Sequence, residues 1–327
     1  MKSRAGFDPS SEGKFTASID FGSHTSRFLL GQICAPPALF LPVIIKRLYT
    51  NLAEGFPQDG PGVINKKAMG RAVDAISQFV AIAREYSVEH IAGAATGIMR
   101  RAENSLELLK RIKEKTGIDI NIIKGEDEAA LTLMGISHAL KFNGSPDIFF
   151  DLGGSTTEII LNRGEKKEVY SFPVGAFVLT EQYLKHDPPL EEETGRLKQY
   201  VDRIIADNVA SYKNRGNDTV LIGSGGTVTS LMALALGIDV EEVTPDRING
   251  AKLKLDMVKS ICSMVRSMPI NERLRLKGID EGRAEVILSG TIAVISIMEF
   301  FGSDSLTVSY SDILEGLIIS YLKGEKR

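Results

Sequence analysis

The 327-residue chain contains no tryptophan, only two cysteines and four histidines, and almost no net charge. Each shortage excludes something. Two cysteines, Cys34 and Cys262, cannot build a disulfide framework or a four-thiolate zinc site, and their apolar neighbours mark them as core residues. His24, His90, His138 and His186 lack metal-ligand spacing, which argues against a zinc or di-metal hydrolase. His186-Asp187 runs directly into Pro188-Pro189 and reads as a loop. A net charge of -3 and a pI near 5.9 give no global attraction for DNA or an anionic membrane, so a polyanion must be held by local cations. No run of eighteen apolar residues and no secretory leader are present, so the expectation is a cytoplasmic protein without membrane contact. Residues 1–14 are polar and are expected to be disordered. The Gly-x-Ser-x-Gly elbow of serine hydrolases is absent as well.

What the chain does contain is one kind of segment twice: an apolar strand ending in Asp and running into a Gly, Ser and Thr turn. The first copy ends Asp20-Phe21-Gly22-Ser23-His24-Thr25, and the second, about 130 residues later, reads Asp151-Leu152-Gly153-Gly154-Ser155-Thr156-Thr157-Glu158. Glycine permits the close turn, hydroxyls and amides point outward, and a strand-end carboxylate is placed where a metal could bridge it to phosphate. Two such loops facing each other would form a phosphate clamp. A third glycine-rich strand-to-helix turn, Gly223-Ser224-Gly225-Gly226-Thr227, has neither the Lys-Ser/Thr ending of a Walker loop nor dinucleotide glycine spacing; anion binding and tight packing both remain open for it. Arg100-Arg101 follow a strand end, where a guanidinium could grip phosphate oxygens. Glu126-Asp127-Glu128 open a helix, a placement that the helix dipole explains by itself.

Strands are expected at Ser26–Ile33, Pro42–Leu48, His90–Ala95, Ile118–Ile123, Val220–Ile222 and Leu306–Ser309, with a turn at Pro36-Pro37. Helical periodicity covers Lys66 to about Tyr86, capped by Asn65, then Ser105–Lys115, closed by Gly117, and a long segment to about Phe142. Further helices are expected at Val228–Leu236, Lys252–Met268, Glu272–Leu276, Ala284–Phe301 and Asp312–Tyr321. Strand triplets followed by helix and strand, partly repeated, indicate an α/β protein of two domains, divided as 1–131 and 132–327.

The set Asp20-Phe21-Gly22-Ser23, Arg100 to Asn104, Gly125 to Ala129, Asp151 to Glu158 and Gly223 to Thr227, in this order, resembles the exopolyphosphatase and guanosine pentaphosphate phosphohydrolase (Ppx/GppA) family in its short, two-domain form. The resemblance implies two ribonuclease H-like domains of the actin, Hsp70 and sugar kinase superfamily, with the site in an interdomain cleft. It implies hydrolysis of the terminal phosphate of inorganic polyphosphate or guanosine pentaphosphate with Mg2+ (or Mn2+). By position it makes Glu128 the general base, Asp151 and Glu158 holders of metal and water, and Asp20 a further metal ligand. Arg100, Gly22, Ser23, His24, Thr25, Gly153, Gly154, Ser155 and Thr156 would bind phosphate, joined by Gly225, Gly226 and Thr227 of the third turn. His24, Ser155 and Ala130 depart from the family pattern, so a polyphosphate- or guanosine tetra/pentaphosphate-binding regulator with weakened turnover is the second expectation. A sugar or acid kinase of the same fold is the third. Lys252, Lys254, Arg273, Arg275 and Lys277 are candidates for a basic groove, and a homodimer would use apolar helices such as Ala284–Phe301.

Overall fold

The computed structural model describes residues 13–35, 38–57, 60–140, 148–163, 166–209 and 220–324, and the chain divides into two units, 1–135 with 313–327, and 136–312. The Pro36-Pro37 turn, the helix beyond residue 140 and all of 1–14 except Gly13 and Lys14 lie outside the described residues. The division differs from the expected one: it falls after Gly135 rather than residue 131, and the last helix belongs with the first unit.

The first unit is built on β1 (Phe15–Phe21), β2 (Thr25–Ile33), β3 (Phe40–Tyr49), α1 (Lys66–Glu85), β4 (Ile91–Ala95), α2 (Ser105–Thr116), β5 (Asn121–Ile122) and the start of α3 (Gly125–Ala139). The sheet order is β3-β2-β1-β4-β5, with β2 antiparallel to both neighbours and β4 parallel to β1 and β5. Local signals place several ends. Asn65 accepts the Ala68 amide at 2.8 Å to start α1, and Gly117, at φ 81°, ends α2 in the left-handed conformation. The expected strand Ile118–Ile123 shrinks to β5, since only Asn121 and Ile122 reach β4.

The second unit repeats the plan with β6 (Ile148–Leu152), β7 (Thr157–Arg163), β8 (Lys166–Phe172), α4 (Ala176–Tyr183), α5 (Glu191–Val209), β9 (Leu221–Ser224) and α6 (Gly226–Leu236). It continues through α7 (Pro245–Ile248), β10 (Lys252–Lys254), α8 (Leu255–Ser267), α9 (Ile270–Arg273), α10 (Glu281–Phe301) and β11 (Ser305–Val308). Its sheet order, β8-β7-β6-β9-β11, is that of the first unit, with β10 added antiparallel at the far edge. Two sheets of one topology are the structural form of the duplicated motif, and the α/β, ribonuclease H-like fold class holds. The expected helix Lys252–Met268 is in fact β10 and then α8: Leu253 alternates with exposed Lys252 and Lys254, a period of two that the longer helical pattern hid.

Helix α10 is long and apolar enough to cross a membrane, yet 83% of its most apolar window is buried as the core helix of this unit. It therefore offers no exposed face to a second copy, contrary to the dimer surface expected of it. Arg273 is likewise no groove cation: it is 2% exposed and donates to the Val265 carbonyl at 2.9 Å and the Ala284 carbonyl at 3.4 Å. Cys34 and Cys262 are both partly buried, and Cys262 packs against the core of the second unit. His186 pairs through Nδ1 with Glu193 at 2.9 Å. Burial opposes the charge on Glu193, but hydrogen bonds from His186 and the Leu190 and Lys185 amides prevail and lower its pKa to about 2.

The closing helix α11 (Ile313–Leu322) returns to cover the first sheet. Phe28 faces α1, its ring stacked on Phe79 at 5.4 Å, while Leu29, the next residue and on the opposite face, packs on Ile318 and Ile319. Ser18 donates to the Leu314 carbonyl at 2.8 Å. Gly316 is why α11 can sit so close to α3: a Cβ there would lie 1.9 Å from the Leu131 carbonyl oxygen. Backbone cannot yield as a side-chain tip can, so Gly316→Ala is expected to cost about 1–3 kcal/mol. Thermal melting checks this; a variant that melts at the parent's temperature would show that α11 does not depend on that contact.

Candidate active site

In the first unit, Asp20 is the penultimate residue of β1, 6% exposed, and the chain reverses through Gly22, whose amide donates to the Thr25 carbonyl at 3.1 Å. The reversal sets Arg27 of β2 directly across from Asp20. Its Nε and Nη2 both donate to Asp20 Oδ2, at 2.9 and 2.6 Å, and Thr96 Oγ1 lies 3.4 Å from Oδ1. Ser23 turns inward and accepts the Ile98 amide at 2.9 Å, which anchors the short turn Gly97–Arg100. His24 is 4% exposed, its ring set edge-on to Tyr49 at 5.1 Å and its carbonyl accepting from Thr50 and Asn51. Both side chains are thus packed on the inner side of the loop.

Arg100 leaves that short turn and donates through Nη1 to Glu128 Oε2 at 2.5 Å and to the Ile123 carbonyl at 3.4 Å. Glu128 lies in the first turn of α3, 8% exposed, whereas Glu126 of the same turn is exposed. Burial pushes the Glu128 pKa up, the Arg100 guanidinium pulls against that, and the nearby Asp20 charge adds to the rise. The net direction is upward, since burial outweighs the ion pair.

The second unit uses the same turn. Gly153 donates to the Thr156 carbonyl at 3.0 Å, as Gly22 does to Thr25, and a Cβ on either glycine would meet that carbonyl at 3.1 or 3.0 Å. Here the residue across from the strand-end Asp151 is Glu158. Directly opposed residues put their side chains on one face, so two carboxylates sit together, 9% and 2% exposed. Ser224 donates to Asp151 Oδ1 and Ser171 to Glu158 Oε1, each at 2.8 Å. The turn is fastened to the start of α4, where Ala176 donates to the Gly153 carbonyl and Phe177 and Val178 donate to that of Gly154. Gly175 is required there, since a Cβ would come 2.3 Å from the Ser155 backbone. Ser155 is 5% exposed and its hydroxyl has no hydrogen-bond partner among the described residues. Its side chain leaves the Gly153–Thr156 hydrogen bond intact.

The third turn adjoins Asp151. Gly225 has φ 97° and packs so close that a Cβ would be 2.4 Å from the Leu152 carbonyl oxygen and 3.1 Å from Asp151 Oδ1. Gly226 lies beneath the Arg283 guanidinium, and Thr227, 1% exposed, packs against Gly290 of α10. Thr227 is therefore an inner packing residue of this turn.

Among the described residues, no group of three or more His, Cys, Asp or Glu side chains forms a metal cluster. The Asp151–Glu158 pair nevertheless suits a hard divalent cation, because Mg2+ is commonly held by one or two carboxylates with substrate phosphates completing its shell. Asp20 suits it less, since Arg27 holds its Oδ2. Arg27, Ser171 and Arg283 escaped the sequence reading. Arg27 was detectable: it stands seven residues after Asp20 as Glu158 stands seven after Asp151.

These features meet in one comparison. The model of the Ppx/GppA phosphatase family matches residues 37–325, and the chain belongs to that family. It is 28% identical over 316 residues to exopolyphosphatase 2 of Mycobacterium tuberculosis, covering 93% of this chain and 97% of that protein. It is also 28% identical over 305 residues to the guanosine-5'-triphosphate,3'-diphosphate pyrophosphatase of Vibrio atlanticus, covering 92% of this chain but 58% of that one. The crystal structure of the Aquifex aeolicus family member aligns with a TM-score of 0.76 at 28% identity, over 96% of this chain and 99% of its own.

The raised Glu128 pKa gives a pH prediction. If the carboxylate acts as a base it must be ionised, so activity falls as pH drops through its pKa. The acid limb of kcat/KM is expected above the ordinary glutamate value of about 4.3. Glu128→Gln is expected to remove that limb along with most activity; a variant retaining both would remove Glu128 from the chemistry.

Proposed function

We propose that this protein hydrolyses the terminal phosphoanhydride of inorganic polyphosphate or guanosine pentaphosphate, with Glu128 as the base that activates water. The single observation that carries the reading is the buried Glu128 with its raised pKa, held by Arg100 at 2.5 Å. A carboxylate of raised pKa accepts a proton from water more readily near neutral pH. Phosphoryl transfer asks little covalent chemistry of a protein; it needs an in-line nucleophile and neutralised charge. Arg100 fixes the base and brings a positive charge to the phosphoryl oxygens, and the Gly22–Thr25 turn and the Gly153–Thr156 turn each offer backbone amides suited to phosphate. Asp151 and Glu158 would hold Mg2+ or Mn2+, which supplies charge neutralisation at the phosphate oxygens when bound.

The names of the two relatives support both substrates, whose reacting ends are alike. The test is phosphate release from long-chain polyphosphate and, in parallel, from guanosine pentaphosphate, each with Mg2+. Release from at least one is expected, and Glu128→Ala is expected to slow it about 10²- to 10⁴-fold. Release undiminished in the variant rejects the assigned base; absence of release from both substrates rejects hydrolysis.

A further inference from the structure

A cavity of about 420 Å³ lies in the second unit between α5, α8 and α10. Its volume is that of a small-molecule site. α5 and α8 each present residues at three-, four- and seven-residue spacing, which share one face. Ile292 and Ile295 of α10 make an apolar floor, and Gly195 of α5 keeps the space open: a Cβ there would meet nothing within 4 Å.

The two ends differ in charge. At one end Glu299 of α10 accepts from both Lys198 of α5, at 3.0 Å, and Lys259 of α8, at 2.7 Å, and Lys198 also donates to Asp202 at 2.9 Å, so two cations are matched by two carboxylates. Two turns away from those lysines, Glu191 of α5 and Arg266 of α8 line the other end. Neither makes an ion pair among the described residues. A carboxylate and a guanidinium therefore border one cavity mouth without bridging each other, above an apolar floor.

We propose that this cavity binds a zwitterionic amino acid with an apolar side chain: the ligand carboxylate on Arg266, its ammonium on Glu191 and its side chain over Ile292 and Ile295. A ligand carrying only one charge would meet the opposite partner's like charge at the mouth. Two charges of opposite sign over an apolar surface select a molecule built the same way.

The experiment is calorimetric titration of the full chain with L-leucine and with L-phenylalanine at up to about 10 mM, a range that captures millimolar affinities. Saturable one-site binding of at least one is expected. Arg266→Ala and Glu191→Ala should each weaken it about tenfold or more, the scale of one charge-assisted hydrogen bond. Gly195→Leu should abolish it by filling the cavity; replacing an interior helical glycine that faces open space favours folding, and melting curves verify the fold. The analogues 4-methylpentanoate and 3-methylbutylamine, each lacking one charge, should bind about tenfold or more weakly than leucine. No binding of either amino acid, binding indifferent to Arg266→Ala or Gly195→Leu, or an analogue binding as tightly as leucine would each overturn the proposal.

Discussion

A strand that ends in aspartate and reverses through a glycine whose amide closes on the third residue beyond it puts the seventh residue after the aspartate directly across the hairpin. That constraint operates twice, at Gly22 to Thr25 and at Gly153 to Thr156. It decides what faces each carboxylate, and the two copies have taken opposite partners. Across from Asp20 stands Arg27, which neutralises it; across from Asp151 stands Glu158, which doubles the negative charge. Two opposed carboxylates repel unless a cation or proton lies with them. The same turn thus carries an ion pair in one unit and two facing carboxylates in the other.

The surroundings maintain this difference. Serine hydroxyls hold Asp151 and Glu158 in place, and Gly225 brings the third turn so close that a Cβ there would lie 3.1 Å from Asp151 Oδ1. In the first unit, burial makes Glu128 a stronger base than an exposed glutamate, while the Arg100 guanidinium pulls its pKa the other way. The Ser23 link to Ile98 ties the turn carrying Arg100 to the hairpin carrying Asp20, so base, arginine and loop are positioned by one network.

Much of this was legible in the sequence because it is local. Asn65 as a cap, Gly117 as a left-handed stop and the two Asp-ended turns all depend on residues within a few positions, and they stand where expected. What depends on distant partners was not. Nothing near Gly316 announces the Leu131 carbonyl beside it, so the return of α11 to the first unit was missed. Arg273 resembles any surface arginine until the carbonyls of Val265 and Ala284 take it inside. The apolar α10 reads equally as an interface or a core, and only tertiary packing decides. Arg27 is intermediate: comparison of the two copies at equal offset exposes it, whereas composition alone does not.

The central proposal is that Glu158, by facing Asp151, makes the second hairpin a cation site, as Arg27 prevents in the first. Manganese binding followed by electron paramagnetic resonance, with Glu158→Arg recreating in the second hairpin the pair found in the first, tests it most directly. The account predicts saturable binding by the parent protein and its loss in the variant, with the fold retained. Equal manganese binding by both proteins would contradict it.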